Sequence, residues 1–126
     1  MFNDYKKEVL AYYQKEKNEI NFSLNLVQPT PGKLRDESVK VYHERFVATD
    51  SSVVRLFFDV SPNEVDYSES IRKIDIDKFR PLINMINDPE IKSDIKNIEL
   101  LAWLIDFKPR PYPIWQKEKK NSYINN

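Results

Sequence analysis

His43 is the only histidine in the chain, and there is no cysteine. Those two counts close most hydrolytic and metal chemistry. A zinc centre built on paired histidines cannot be assembled, although His43-Glu44 has the opening residues of a metalloprotease motif. Thiolate nucleophiles, disulfides and cysteine-based zinc sites are excluded, and a cysteine-free chain fits a reducing compartment. No serine has a histidine at the spacing of a nucleophile motif. His43, beside Tyr42, is expected to pack at a helix surface, with a pH-sensitive contact as its other use.

Two charged stretches remain as candidate chemistry. Between Asp59 and Asp77 lie Asp59, Glu64, Asp66, Glu69, Asp75 and Asp77 against Arg72 and Lys73, a net of minus four. Carboxylates that converge can hold a divalent ion or move protons. Here they fit helix first turns better, where acidic side chains meet free N–H groups, and the stretch has no glycine-containing calcium loop. From Lys108 to Asn126 the balance reverses. Lys108, Arg110, Lys117, Lys119 and Lys120 oppose Glu118, a net of plus four, interleaved with Tyr112, Trp115 and Tyr123. That mixture suits stacking on single-stranded nucleic acid, contact with an acidic protein face, or a strap packed by its rings with its charges in water. No catalytic, cofactor-binding or metal-binding residue is assigned. The expected interaction residues are Arg110, Tyr112, Trp115, Lys117, Lys119 and Lys120 on one side, and Asp66 and Glu69 on the other.

Composition narrows the field further. The 126 residues are 40% hydrophobic and 32% charged, the profile of one globular domain, and Lys plus Arg equal Asp plus Glu at 20 each. No overall field draws the chain to nucleic acid or to an anionic membrane. There is one glycine, Gly32, among eight prolines, so glycine-rich phosphate loops and Asn-Gly hairpins are excluded. Met1 is followed by Asn3, Asp4 and Lys6 rather than a basic and then apolar leader, and a cytoplasmic location is expected.

The elements that would carry these residues are helical. The stretch from Ile95 to Trp115 is the densest in apolar residues; from Ile98 to Phe107 only Glu99 and Asp106 are charged. That length, about ten residues, is half the roughly 20 needed to cross a bilayer, so the segment is expected to be a central helix covered by others. Pro109, Pro111 and Pro113 are then expected to hold an extended strap, followed by a loose basic tail. Tyr5, Val9, Tyr12 and Tyr13 give helical spacing from residue 3 to 20. Thr30-Pro31 starts a helix to about Val47. Residues 20–29 alternate with period two and read as a strand or strap; residues 49–60 fit a strand or a helix, and helix is favoured. Ser61-Pro62-Asn63-Glu64 is a capping box predicting a helix to about Lys73. Asp75 or Asp77 is expected to cap a further helix, and with Asp77 as the cap Pro81 falls in its first turn.

The expectation is an all-α bundle of five or six short helices around residues 95–107, forming one domain over 1–116 with a polar basic tail over 117–126. An α+β fold with a strand-helix-strand unit at 20–60 is the alternative. The function expected of such a chain is non-enzymatic: an adaptor or assembly module binding a protein partner or itself, with charged faces meeting head to tail. The other readings are a nucleic-acid regulator, using the basic segment with Arg35, Lys40 and Arg45, and an inhibitor or accessory subunit of an enzyme. Arg35, Lys40 and Arg45 do not share one helix face, which counts against the nucleic-acid reading. No cofactor and no membrane contact is expected.

Overall fold

In the computed structural model, which describes residues 2–125 with side chains through Ser122, the chain is all-α. Eight α-helices succeed one another among the described residues: α1 (Phe2–Glu16), α2 (Leu24–Val27), α3 (Pro31–Arg45), α4 (Ser51–Phe58), α5 (Ser68–Arg72), α6 (Arg80–Asn87), α7 (Ile95–Leu104) and α8 (Tyr112–Asn125). Two 3-10 turns, Ala48–Asp50 and Ile76–Phe79, run directly into α4 and α6. No strand occurs among the described residues, which removes the strand-helix-strand alternative at 20–60. None of these helices is long and apolar enough to cross a membrane.

α7 is the helix that the others cover, as its composition requires. Ile98, Leu100, Leu101, Ala102 and Trp103 are fully buried, and α1, α3, α4 and α6 pack on it. A buried Leu or Ile side chain contributes about 1.5–3 kcal/mol by leaving water, so this helix is the largest apolar contribution to the fold. Its end needs a left-handed residue, and so does the end of α4. With one glycine in the chain, both positions fall to aspartate: Asp106 at φ 55 and Asp59 at φ 53. Aspartate tolerates that region better than most residues because its short side chain bonds locally.

Thr30 caps α3 by accepting from the Lys33 N–H at 3.2 Å, with Pro31 in the first turn as expected. Four other expectations are corrected. Residues 20–29 are neither strand nor strap: a turn leads to Ser23, which caps the single turn α2. The alternation there does not mark a buried face, because Leu26 is buried but Ile20 and Leu24 are 96% and 83% exposed. Ser61–Glu64 does not open a helix. The Arg55 guanidinium takes the Ser61 and Glu64 carbonyls at 3.0 and 2.9 Å, the Glu64 N–H closes a single turn onto the Ser61 carbonyl that is not continued, and α5 begins only at Ser68. Asp75 rather than Asp77 supplies the cap, accepting from the Asp77 N–H, and opens the 3-10 turn that delays α6 to Arg80. Pro81 does fall in the first turn.

The fourth correction concerns the C-terminus. α7 ends at Leu104 rather than about Phe107, the non-helical connection is confined to residues 105–111, where the Lys108-Pro109 and Arg110-Pro111 bonds are cis, and α8 begins at Tyr112. Pro113 falls in its first turn, where a missing N–H leaves no bond unmade. The expected strap and loose tail are therefore largely one helix, and the boundary expected at 116/117 lies inside it. The side chain of Tyr123, and Asn126, lie outside the described residues. Against the five or six helices expected, the described residues form eight, α2 and α8 being among the additions.

Glu99 is the charged exception in the buried helix. It accepts from the Tyr5 hydroxyl and, at 2.9 Å, from the Tyr112 N–H, so one carboxylate ties α1 and the start of α8 to α7. Burial holds its carboxyl above the ordinary range, against the opposing effect of those two bonds and of Arg110. A raised carboxyl pKa means that the folded protein binds the proton more readily than the unfolded chain. The resulting stability is complete below the ordinary glutamate pKa and is lost as pH rises through the raised one. Wild type is therefore expected to gain stability relative to Glu99→Gln as pH falls from neutral toward that range. Urea denaturation of both proteins at several pH values checks this, and a constant gap between them would mean that Glu99 titrates normally.

Candidate binding cleft

The aromatic and basic residues near the C-terminus do converge, but inward. Trp115 is 2% exposed; its indole N–H donates to Glu8 at 3.3 Å and its ring lies 5.3 Å from Tyr5. Tyr112 stacks on Trp115 at 5.9 Å and meets Phe2 edge-on. Lys119 pairs with Glu8 at 3.2 Å and lies over the Trp115 ring, while Lys117 and Lys120 are exposed on α8. Arg110 has a side chain only 9% exposed. Its guanidinium bonds Asp50 at 3.0 Å and Asp106 at 2.8 Å, and its proximity to those carboxylates outweighs burial and raises its pKa. These residues seat the connection and α8 on α1 and α7.

Asp66 and Glu69 belong to a different face, on the segment that packs against α3. Asp66 accepts from the Ser68 N–H at 3.0 Å and the Tyr42 hydroxyl at 3.3 Å, and the Ser68 bond above all holds it below the usual carboxylate range. Glu69 pairs with Lys73 at 3.0 Å and Arg72 at 3.2 Å, and is likewise lowered. His43 is exposed, its ring against Tyr42 at 5.5 Å. Arg45 is turned into the fold, donating to the Leu104 carbonyl at 2.7 Å. Among the described residues no group of His, Asp and Glu is arranged to hold a metal ion.

The surface with unused binding groups lies elsewhere. A cleft of about 680 Å³ opens between the end of α4, the start of α6, the 88–94 loop and the first turn of α7. Leu56 and Ile91 on its walls are 64% and 36% exposed, and Ile95 beside it is 41% exposed. Lys78, Lys92 and Lys96 also line it, with Asp59 and Asp94, and none of the three lysines has an ion-pair partner among the described residues. Asn97 forms part of the wall and is only 2% exposed, yet its Oδ1 meets no hydrogen-bond partner. A second cleft of about 810 Å³, between α1 and the same loop, adds Lys6 and Lys7. The loop separating the two is pinned, since Lys6 donates to the Ile91 carbonyl at 2.7 Å and Asp88 accepts from the Glu90 N–H.

The cleft draws residues from four parts of the chain: positions 56–59, 78–84, 91–94 and 96–97. No local motif announces it. A cue that was available in sequence is Leu56, one apolar residue more than the core face of α4 can use. Comparison of the chain with protein-family models, with curated proteins and with solved structures gives no match.

Proposed function

We propose that the protein is a non-enzymatic binding module that docks a segment of a partner protein in the cleft between α4, α6 and α7. The observation that supports this is the combination, in one cleft, of exposed Leu56 and Ile91 with three lysines that have no ion-pair partner among the described residues. Exposed apolar residues that adjoin one another mark contact surfaces, and unpaired cations select an acidic occupant. The expected partner therefore presents acidic residues next to apolar ones. The C-terminal basic segment is a weaker candidate surface, because Trp115 is buried and cannot stack on a base, and Arg110 and Lys119 are spent on Asp50, Asp106 and Glu8.

The test is retention of a binding partner from the native host by the wild-type chain, compared with Leu56→Asp and Lys92→Glu. Both positions are exposed, so their substitutions leave the core intact. A specific protein should be held by wild type and released at least about ten-fold more readily by Leu56→Asp, the effect of losing one well-packed anchor. Retention unchanged in both variants would sink the proposal. Light scattering at low and high salt identifies self-association as the other outcome: an oligomer that salt dissociates assigns the cleft to a second copy of the chain.

A further inference from the structure

Building on the docking reading above, we propose that the segment seated in the cleft is Glu64-Val65-Asp66 of a second copy of this chain, each copy of a two-fold dimer placing its loop in the cleft of the other. The cleft calls for an apolar side chain with carboxylates beside it. Leu56 and Ile91 are exposed on its walls, and three lysines, Lys78, Lys92 and Lys96, stand there against two aspartates, Asp59 and Asp94. The chain itself presents such a segment: Val65 is 92% exposed, and Glu64 and Asp66 on either side of it are exposed as well.

A single exposed valine is ordinary at a protein surface. What sets Val65 apart is that the loop holding it outward is anchored on both sides. Before it, the Arg55 guanidinium takes the Ser61 and Glu64 carbonyls, and the Glu64 N–H bonds the Ser61 carbonyl at 3.0 Å. After it, Asp66 Oδ1 accepts from the Ser68 N–H and the Tyr42 hydroxyl, and the Tyr67 N–H donates to that same hydroxyl at 2.9 Å. A loop already fixed in shape loses little conformational freedom on docking, so its apolar side chain and two carboxylates meet the cleft at low entropic cost.

Position favours a reciprocal arrangement. Asp59 lines the cleft and the loop begins two residues later at Ser61, so loop and cleft are contiguous on the surface. Two such surfaces turned about a two-fold axis bring loop to cleft twice over. Each Leu56 then meets Val65 of the other copy, and each set of lysines meets Glu64 and Asp66 of the other copy. A closed dimer removes both apolar patches from water, whereas a foreign acidic segment fills the cleft and leaves Val65 exposed.

The experiment is sedimentation equilibrium of the full chain from micromolar to millimolar concentration, for wild type, for Val65→Asp and Leu56→Asp each alone, and for the two variants mixed. Both positions are exposed, so neither change reaches the core. Wild type is expected to show a concentration-dependent balance of monomer and dimer that high salt shifts toward monomer. Each variant alone damages both contacts of the dimer, and its dissociation constant should rise about a hundred-fold, about ten-fold for each lost anchor. Mixing restores one intact contact, the unaltered loop of one variant in the unaltered cleft of the other, so the mixture should dimerise more tightly than either variant by itself. That rescue requires both variants to be folded, which separates a lost contact from a lost structure. A mass that stays monomeric at every concentration, growth beyond two copies, a dimer indifferent to Val65→Asp, or no rescue on mixing overturns the proposal. The docking reading falls separately. A monomeric chain that retains a host protein through Leu56 removes only the second copy as occupant, and a dimer that Val65→Asp dissociates but Leu56→Asp does not removes the cleft as the docking surface.

Discussion

Arg110→Ala is expected to destabilise the fold by about 3 to 5 kcal/mol, the usual effect of removing one partner from a buried ion pair. The side chains of Arg110 and Asp50 are 9% and 2% exposed, and the pair is held in a fork, with Nε to Oδ1 at 3.0 Å and Nη2 to Oδ2 at 3.4 Å. Without the guanidinium, Asp50 keeps only the Val47 N–H at 3.2 Å, and Asp106 keeps Arg45 at 3.5 Å and Lys108 at 3.8 Å. The Phe107 carbonyl also loses its donor at 3.1 Å. The cost should fall when the orphaned charge is removed as well, so Arg110→Ala with Asp50→Asn should cost less than the sum of the two single changes. Arg110→Lys should be intermediate, since an ammonium keeps the charge but not the fork. Urea midpoints for wild type and the four variants measure this. A loss under about 0.5 kcal/mol for Arg110→Ala, the size of an ordinary surface substitution, would show that the network is not held as described.

Trp103→Ala carries the other large expected effect, about 3 to 5 kcal/mol. Trp103 is fully buried in the middle of α7 and meets the Phe58 ring edge-on at 6.5 Å, so truncation opens a cavity at the junction of α4 and α7. Against a total stability of about 5–15 kcal/mol for a domain of this kind, that is a large fraction. The indole N–H has no hydrogen-bond partner among the described residues, so Trp103→Phe forfeits volume but no bond. It should cost less than half as much as the alanine change. Equal losses from the two substitutions would mean that the N–H is bonded after all. Both are read from the denaturation midpoint and from whether the slope of the transition is preserved.

The course of the helices was legible in sequence wherever a local rule and the tertiary environment agree. Thr30-Pro31 caps and starts α3, and the density of apolar residues after Ile98 marks the buried helix, because no distant contact opposes either signal. Ser61-Pro62-Asn63-Glu64 satisfies a local rule equally well and is overruled from six and nine residues away by Arg55, which captures the carbonyls a helix would need. α7 already ends at Leu104, ahead of left-handed Asp106, so the prolines after Phe107 do not break it but belong to the non-helical connection up to Pro111. Pro113 does not belong to it, since the same residue that ends a helix can also begin one, and only the position of Glu99 beneath the Tyr112 N–H settles which. Arg110 and Trp115 were conspicuous in sequence as a basic and aromatic pair, but composition does not tell an inward guanidinium from an outward one. The cleft was illegible for a different reason: Leu56, Lys78, Lys92 and Asn97 become neighbours only once four separate stretches have packed.

The bonds from Tyr5 to Glu99 and from Trp115 to Glu8 join residues 94 and 107 positions apart. On a ribosome, α1 leaves the exit tunnel well before α7 and α8, with Tyr5 and Val9 bare. The Tyr5 face of α1 must therefore wait in water until α7 and α8 have been synthesised, whereas Tyr13 can already meet Phe22 and the Leu26 carbonyl. Translation pauses late in the message would lengthen that exposure, and a holdase chaperone binding the nascent α1 would shorten it. The yield of native protein in the cell should accordingly depend on the speed of the codons between α1 and α8.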